Sequence, residues 1–193
     1  MNFLAHMHLS CTEHGLLCGN FLGDFIKNKD LHLLTPEIKT GVNLHRRIDS
    51  FTDTHPSVRK CTKILHPSQG KYSPVIVDVY FDYVLYKNWA NYSDVPFEEF
   101  ESEVYSTLME HVQTFPERLQ KMTHDMVSGH FLRSYTSMEG LEYTFSRMKK
   151  RFKFKSNIDK AVEDLQDHYT EIEICFKEFY PEMMEVVKVY CPC

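Results

Sequence analysis

The chain has 193 residues and a formal net charge of −5, with 42% apolar, 13% aromatic and 25% charged residues. These values are typical of one globular domain and exclude a disordered or collagen-like chain. No apolar run in the sequence approaches the roughly 18 residues that a membrane-spanning helix needs. The acidic balance also argues against a nucleic-acid-binding protein.

Apolar residues recur mostly at helical spacing, and period-two alternation is scarce, so the sequence predicts an all-α fold. The predicted helices cover 2–10, 13–27, 36–53, 56–65, 74–91, 96–114, 116–133, 137–151 and 157–189. Between them we expect a loop from His66 to Ser73, with Ser73 as an N-cap, and a break of the last helix at Pro181. We expect one compact domain over 1–193, in which 185–193 form a frayed tail.

The N-terminal segment MNFLAHMHLS has no basic region and no long apolar run. We therefore expect no signal peptide and a cytoplasmic protein. The six cysteines contain no C-x-x-C pair, which argues against a zinc ribbon or a thioredoxin-type site. Free thiols in a reducing compartment are expected instead.

The predicted helix 74–91 is apolar on almost every side, which indicates a buried helix. Asp78 and Asp82 nevertheless lie in it four residues apart, so their carboxylates share one strip. Two buried carboxylates need compensating charge. A metal ion would supply it, and so would paired arginines, in which case both aspartates are structural.

The predicted helix 36–53 carries a stripe that begins apolar and ends in polar residues. His45 and Asp49 are spaced i, i+4 on it, as are pairs of metal ligands on one helix face. Asp49 could instead orient the imidazole from outside the metal shell. Arg46 and Arg47 flank the stripe, where they could bind a phosphate.

Other polar residues give weaker signals. His6 and His8 are two apart and point different ways on a helix, so at most one should join a site. Asn20 and Asp24 share one face of an apolar segment, where Gly19 and Gly23 permit close approach. Asp167, His168 and Glu171 on the last helix are more typical of a solvated face.

A basic run near the C-terminal end of the 137–151 helix stands out in this acidic chain. It is either a solvated helix end, favoured by the helix dipole, or a docking surface for an acidic partner. Its six cations are Arg147, Lys149, Lys150, Arg151, Lys153 and Lys155.

Several motifs, in this order, resemble the acyl carrier protein phosphodiesterase family. They are MNFLAH at the N-terminus, GNFLGDF at 19–25, HRRID followed by TD at 45–53, DVYFD at 78–82, and HY with FYPEMM at 168–184. The resemblance implies an all-helical, manganese-dependent cytoplasmic enzyme, a divergent relative of the HD-type phosphohydrolases. It also implies removal of the 4′-phosphopantetheine arm from holo acyl carrier protein.

The resemblance assigns roles to the residues that match these motifs. It places His45, Asp49, Asp78, Asp82 and His6 around Mn²⁺ or Mg²⁺. It makes Asp24, Arg46, Arg47 and Asp53 the catalytic residues, with Asp24 as a ligand or general base. The basic run would then dock the acidic carrier protein.

One position departs from the family pattern. The family often has a histidine after the second aspartate of the DVYFD motif, where this chain has Tyr83. If that histidine were a ligand, His6 or His168 would have to replace it. Two other functions therefore stay open: a helical phosphohydrolase acting on a nucleotide or another small phosphoester, and a degenerate member that only binds the carrier protein.

Overall fold

The computed structural model describes residues 1–11 and 13–190, and this part of the chain contains no β-strand. The predicted all-α fold is confirmed. The helices are α1 (Phe3–His8), α2 (His14–Leu22), α3 (Pro36–Thr54), α4 (Pro56–Gln69), α5 (Ser73–Lys87), α6 (Phe97–His111), α7 (Glu117–Ser128), α8 (Met138–Lys149), α9 (Ala161–Asp167) and α10 (Tyr169–Val187). Short 3-10 turns link several of them. No helix in the described ranges is long and apolar enough to cross a membrane.

Several predicted helices end earlier than expected, as α2 and α7 do, and two boundary predictions are wrong for a clear tertiary reason. The loop expected from His66 to Ser73 is largely helical, because α4 continues through Pro67 to Gln69, and Ser73 opens α5 without capping it. The Gln69 amide donates to Asp164 over 2.6 Å, which holds the last turn of α4 in place. The final segment breaks between α9 and α10 at His168, whereas Pro181 lies inside α10 among buried aromatic residues.

Two further expectations concern the tail and the thiols. Residues 185–187 belong to α10, and 191–193 lie outside the described residues. Cys18, Cys61 and Cys175 are buried free thiols, as predicted. Cys11 is disulfide-bonded, so the prediction of free thiols is wrong there.

Helices α2 and α3 cross at two glycines. A Cβ atom on Gly19 would lie 2.1 Å from the carbonyl oxygen of Ile38, and one on Gly41 would lie 2.3 Å from that of Leu16. Since atoms cannot approach so closely, only glycine permits this crossing. The close approach carries the polar end of α2 to the polar stripe of α3.

Helix α5 lies at the centre of the hydrophobic core. Its residues from Ile76 to Leu85 are buried except Asp78, so the prediction of a helix enclosed on all sides is confirmed. Phe81 packs edge-on against Phe176 of α10, with 5.4 Å between ring centroids. Helix α1 packs between α2 and α5, which places His6 beside the α2–α3 pair.

Candidate metal centre

Two histidines from different helices meet at one carboxylate. His6 lies on α1, and His45 and Asp49 lie one turn apart on α3. The two imidazole rings stack at 4.1 Å between centroids. His6 Nε2 is 3.3 Å from Asp49 Oδ1, and His45 Nε2 is 3.2 Å from Asp49 Oδ2. The three side chains form the His6–His45–Asp49 cluster.

Asn20 of α2 fixes the orientation of both imidazoles. Its Nδ2 donates to the carbonyl oxygen of His6 and to Ser10 Oγ, so its Oδ1 is an acceptor. His6 Nδ1 donates to that Oδ1 over 2.7 Å, and His45 Nδ1 donates to the backbone carbonyl of Asn20 over 2.8 Å. Each Nδ1 therefore carries a proton, and the Nε2 atom of each ring faces Asp49. Metal-binding histidines in proteins are held in this way.

The end of α2 is shaped around the His45 ring. A Cβ atom on Gly23 would lie 2.1 Å from His45 Cγ, so this position admits only glycine while the ring stays in place. The next residue, Asp24, reaches His45 Nε2 with Oδ1 at 3.4 Å and keeps 60% of its side chain exposed. Asp24 is thus at the solvent edge of the cluster.

The cluster stabilises positive charge. Burial alone would lower the pKa of His45, but hydrogen bonds to Asp24 and Asp49 raise it to about 9. Burial alone would raise the pKa of Asp49, but its contacts with His45 and His6 hold it far below the usual range. A divalent cation bound here would replace the His45 proton, so metal binding would release a proton at neutral pH.

The donor set fits a metal ion. His6 Nε2 is buried, and although it lies 3.3 Å from Asp49 Oδ1, it makes no well-aligned hydrogen bond in the described part of the chain. A buried polar atom without a partner is costly, and a metal bond would remove that cost. The ligand atoms of His6, His45 and Asp49 all lie within 4.8 Å of one another. Two imidazole nitrogens with carboxylate oxygens suit Mn²⁺ and related divalent ions.

Comparison with known proteins agrees with the sequence motifs. The family model described as acyl carrier protein phosphodiesterase matches residues 1–183. The chain belongs to this family. A protein named acyl carrier protein phosphodiesterase from Pectobacterium atrosepticum is 30% identical over 189 residues, 97% of this chain and 98% of its own length. One from Escherichia coli O6:H1 is 31% identical over 186 residues, 96% of each chain.

No solved structure matches the chain. The sequence also predicts that this member of the acyl carrier protein phosphodiesterase family resembles HD-type phosphohydrolases. That likeness therefore stays a prediction. The family's motif residues can, however, be placed in the fold. His6, Asp24, His45 and Asp49 come together, whereas the two aspartates of the DVYFD motif have partners of their own.

Asp78 and Asp82 hold the start of the chain against α5. The Met1 ammonium group is 2.8 Å from Asp78 Oδ1. Asp82 accepts from the backbone N–H groups of Leu4 at 2.7 Å and of Asn2 and Ala5 at 3.3 Å. Both carboxylates thus have hydrogen-bond donors of their own without a metal ion. They position α1, and with it His6.

The remaining motif residues of α3 are half-buried or exposed, whereas Tyr83 of α5 is buried. Arg46 is half-buried and Arg47 is exposed, both next to His45 on α3. Asp53 is exposed one turn beyond Asp49, and its carbonyl oxygen accepts from Arg59 at 3.3 Å. Tyr83 is buried on α5 with its ring edge-on to Tyr169.

His168 lies between α9 and α10, and it does not belong to the His6–His45–Asp49 cluster in the described structure. Of the two candidates to replace the family's histidine, only His6 is placed to bind an ion there. In the sequence, the spacing of Asn20 is only weak evidence for a place in the site, and nothing points to Ser10. Only the fold shows that these two residues fix the imidazoles.

The basic run covers the end of α8 and the segment after it. All of its cations are exposed, namely Arg147, Lys149, Lys150, Arg151, Lys153 and Lys155. Lys149 forms an ion pair with Asp159, and Arg147 lies over the ring of Tyr143. Phe152 stacks on Tyr72, just before α5. The run is therefore attached to the core through an aromatic contact and keeps most of its charge toward solvent.

Proposed function

We propose that this chain is a metal-dependent phosphodiesterase that cleaves holo acyl carrier protein into apo acyl carrier protein and 4′-phosphopantetheine. The observation that carries the proposal is the His6–His45–Asp49 cluster. Both of its Nδ1 atoms donate hydrogen bonds to Asn20, and both Nε2 atoms face Asp49. The family supplies the substrate class, since its curated relatives are named for acyl carrier protein. Mn²⁺ is the proposed metal, with Mg²⁺ as the alternative.

The proposed ligands are His6, His45 and Asp49. The bound ion would polarise the phosphoryl group and activate water. Asp78 and Asp82 are proposed to act on the site only through α1, because their carboxylates contact the Met1 ammonium group and the backbone of α1.

Asp24 is the proposed general base or additional ligand. It combines a contact with His45 Nε2 with access to solvent, so it can take a proton from water entering the site. The hydrogen bond from His45 holds the pKa of Asp24 below its usual range, which keeps the carboxylate ionised at neutral pH.

Arg46 and Arg47 are proposed to neutralise the non-bridging phosphate oxygens. They flank His45 on the same helix, and guanidinium groups bind phosphate through paired hydrogen bonds. Asp53 is exposed one turn beyond Asp49. Its proposed catalytic role is that of an auxiliary acid at the edge of the site.

The exposed basic run is proposed to dock the acidic carrier protein, mainly by accelerating encounter. The cytoplasm is the proposed location, as the family resemblance implies.

Mass spectrometry of holo acyl carrier protein incubated with the chain and Mn²⁺ tests the proposal. We expect conversion to the apo mass, with no conversion in EDTA or with Asp49→Asn. Asp125→Asn, on the exposed face of α7, serves as the matched control and should retain full activity. An unchanged holo mass, while a small phosphodiester or nucleotide is hydrolysed, would reject the carrier protein as substrate.

A further inference from the structure

A second group of metal-binding side chains lies on the surface, where the start of α2 meets the end of α6. His14 is the first residue of α2, and Glu110 and His111 are the last two residues of α6. Their ligand atoms all lie within 4.8 Å of one another. These residues belong to none of the motifs above, and the proposed reaction does not use them.

The two imidazoles are placed as a tetrahedral ion requires. His14 Nδ1 and His111 Nε2 share a hydrogen bond over 3.2 Å, with the ring planes crossed at 70°. An ion with metal–nitrogen bonds of about 2.0–2.1 Å holds two tetrahedral ligands about 3.3 Å apart. The observed separation is close to this distance, so an ion would replace the proton that the two nitrogens share, with a rotation of the rings that turns both lone pairs toward it.

The charge around this junction also favours a cation. Glu110 contributes a carboxylate, and the carbonyl groups at the end of α6 add the negative end of a helix dipole. Burial raises the pKa of the Cys18 thiol to about 12, and the charges of Glu110 and Glu13 add to that increase. His14 and Cys18 are one turn apart on the same face of α2. Both carboxylates therefore lie near this face.

We propose that His14, Glu110 and His111 bind one Zn²⁺ ion, with water completing its coordination. Two imidazoles and one carboxylate suit zinc, whereas Mg²⁺ prefers oxygen ligands throughout. The ion joins the first turn of α2 to the last turn of α6. Since α2 also carries Asn20, the zinc site stabilises the element that supports the candidate metal centre.

Zinc counting by equilibrium dialysis, after EDTA treatment, tests the proposal. We expect the parent to bind one more Zn²⁺ than either His14→Gln or His111→Gln at micromolar free zinc. The matched control is His124→Gln, an exposed histidine on α7, which should bind as many ions as the parent. Because the substituted side chains are partly or fully exposed, all variants should fold, and thermal melts without zinc verify this.

A second readout separates this site from the candidate metal centre. Zn²⁺ should raise the melting temperature of the parent and of His124→Gln by more than it raises that of His14→Gln or His111→Gln. Hydrolysis of holo acyl carrier protein with Mn²⁺ should be the same in all four proteins. Equal zinc counts in all four proteins, or the loss of an ion from His124→Gln as well, would overturn the proposed zinc site and leave the proposed function untouched.

Discussion

Gly23→Ala is expected to disable the candidate metal centre while the fold survives. The new methyl group would lie 2.1 Å from His45 Cγ, against an ordinary contact of 3.4 Å or more. The imidazole must therefore retreat by about 1 Å, and a displacement of that size at a catalytic group costs about a hundredfold in rate. Overpacking of this kind also costs about 1–3 kcal/mol of stability.

The matched control for this variant is Gly140→Ala. A Cβ atom on Gly140 would lie 2.5 Å from the carbonyl oxygen of Ser134, so the control suffers a similar overlap away from the cluster. Urea denaturation should show comparable destabilisation of both variants, whereas Mn²⁺ affinity and turnover should fall about a hundredfold only in Gly23→Ala. Equal Mn²⁺ affinity in the two variants would refute the placement of His45 as a ligand.

Three further outcomes are expected. Asn20→Ala removes the Oδ1 acceptor that orients His6 and leaves the backbone carbonyl that orients His45, so Mn²⁺ affinity measured by calorimetry should fall about 10–100-fold through His6; Ser10→Ala, which loses only the far end of that network, should lose less. Burial raises the pKa of Asp82 to about 7, so the folded state holds this proton more tightly than the unfolded chain. The parent should then lose about 1–4 kcal/mol relative to Asp82→Asn as pH rises from about 4 to about 7, and parallel stability profiles would argue against a buried carboxylate. Lys150→Glu combined with Lys153→Glu should lower kcat/KM for the carrier protein severalfold at low salt and leave a small diester unaffected; equal losses on both substrates would exclude a docking role.

Helical periodicity predicted most of the fold because the apolar stripes are long. It failed where tertiary contacts decide the boundary. Composition predicts a loop after His66, yet side chains of Ser68 and Gln69 bond to Asp164 and extend α4. Pro181 does not break α10, because Tyr180 before it and Met183 after it are both buried in the core.

The candidate site was predictable to the extent that it is local in sequence. His45 and Asp49 are one helical turn apart, so their shared face can be read from spacing. The partners of Asp78 and Asp82 could not be predicted in this way, since they are a terminal ammonium group and backbone N–H groups more than 70 positions away. Spacing alone suggested repulsion between the two aspartates, whereas in the fold each has its own donors.

The most direct test of the metal centre is anomalous diffraction from crystals of the protein grown with Mn²⁺. The account predicts a manganese peak bonded at about 2.0–2.5 Å to His6 Nε2, His45 Nε2 and an Asp49 oxygen. The Asp82 carboxylate should remain hydrogen-bonded to the backbone of α1. A peak bonded to Asp78 and Asp82 instead, or no manganese at the His6–His45–Asp49 cluster, would contradict it.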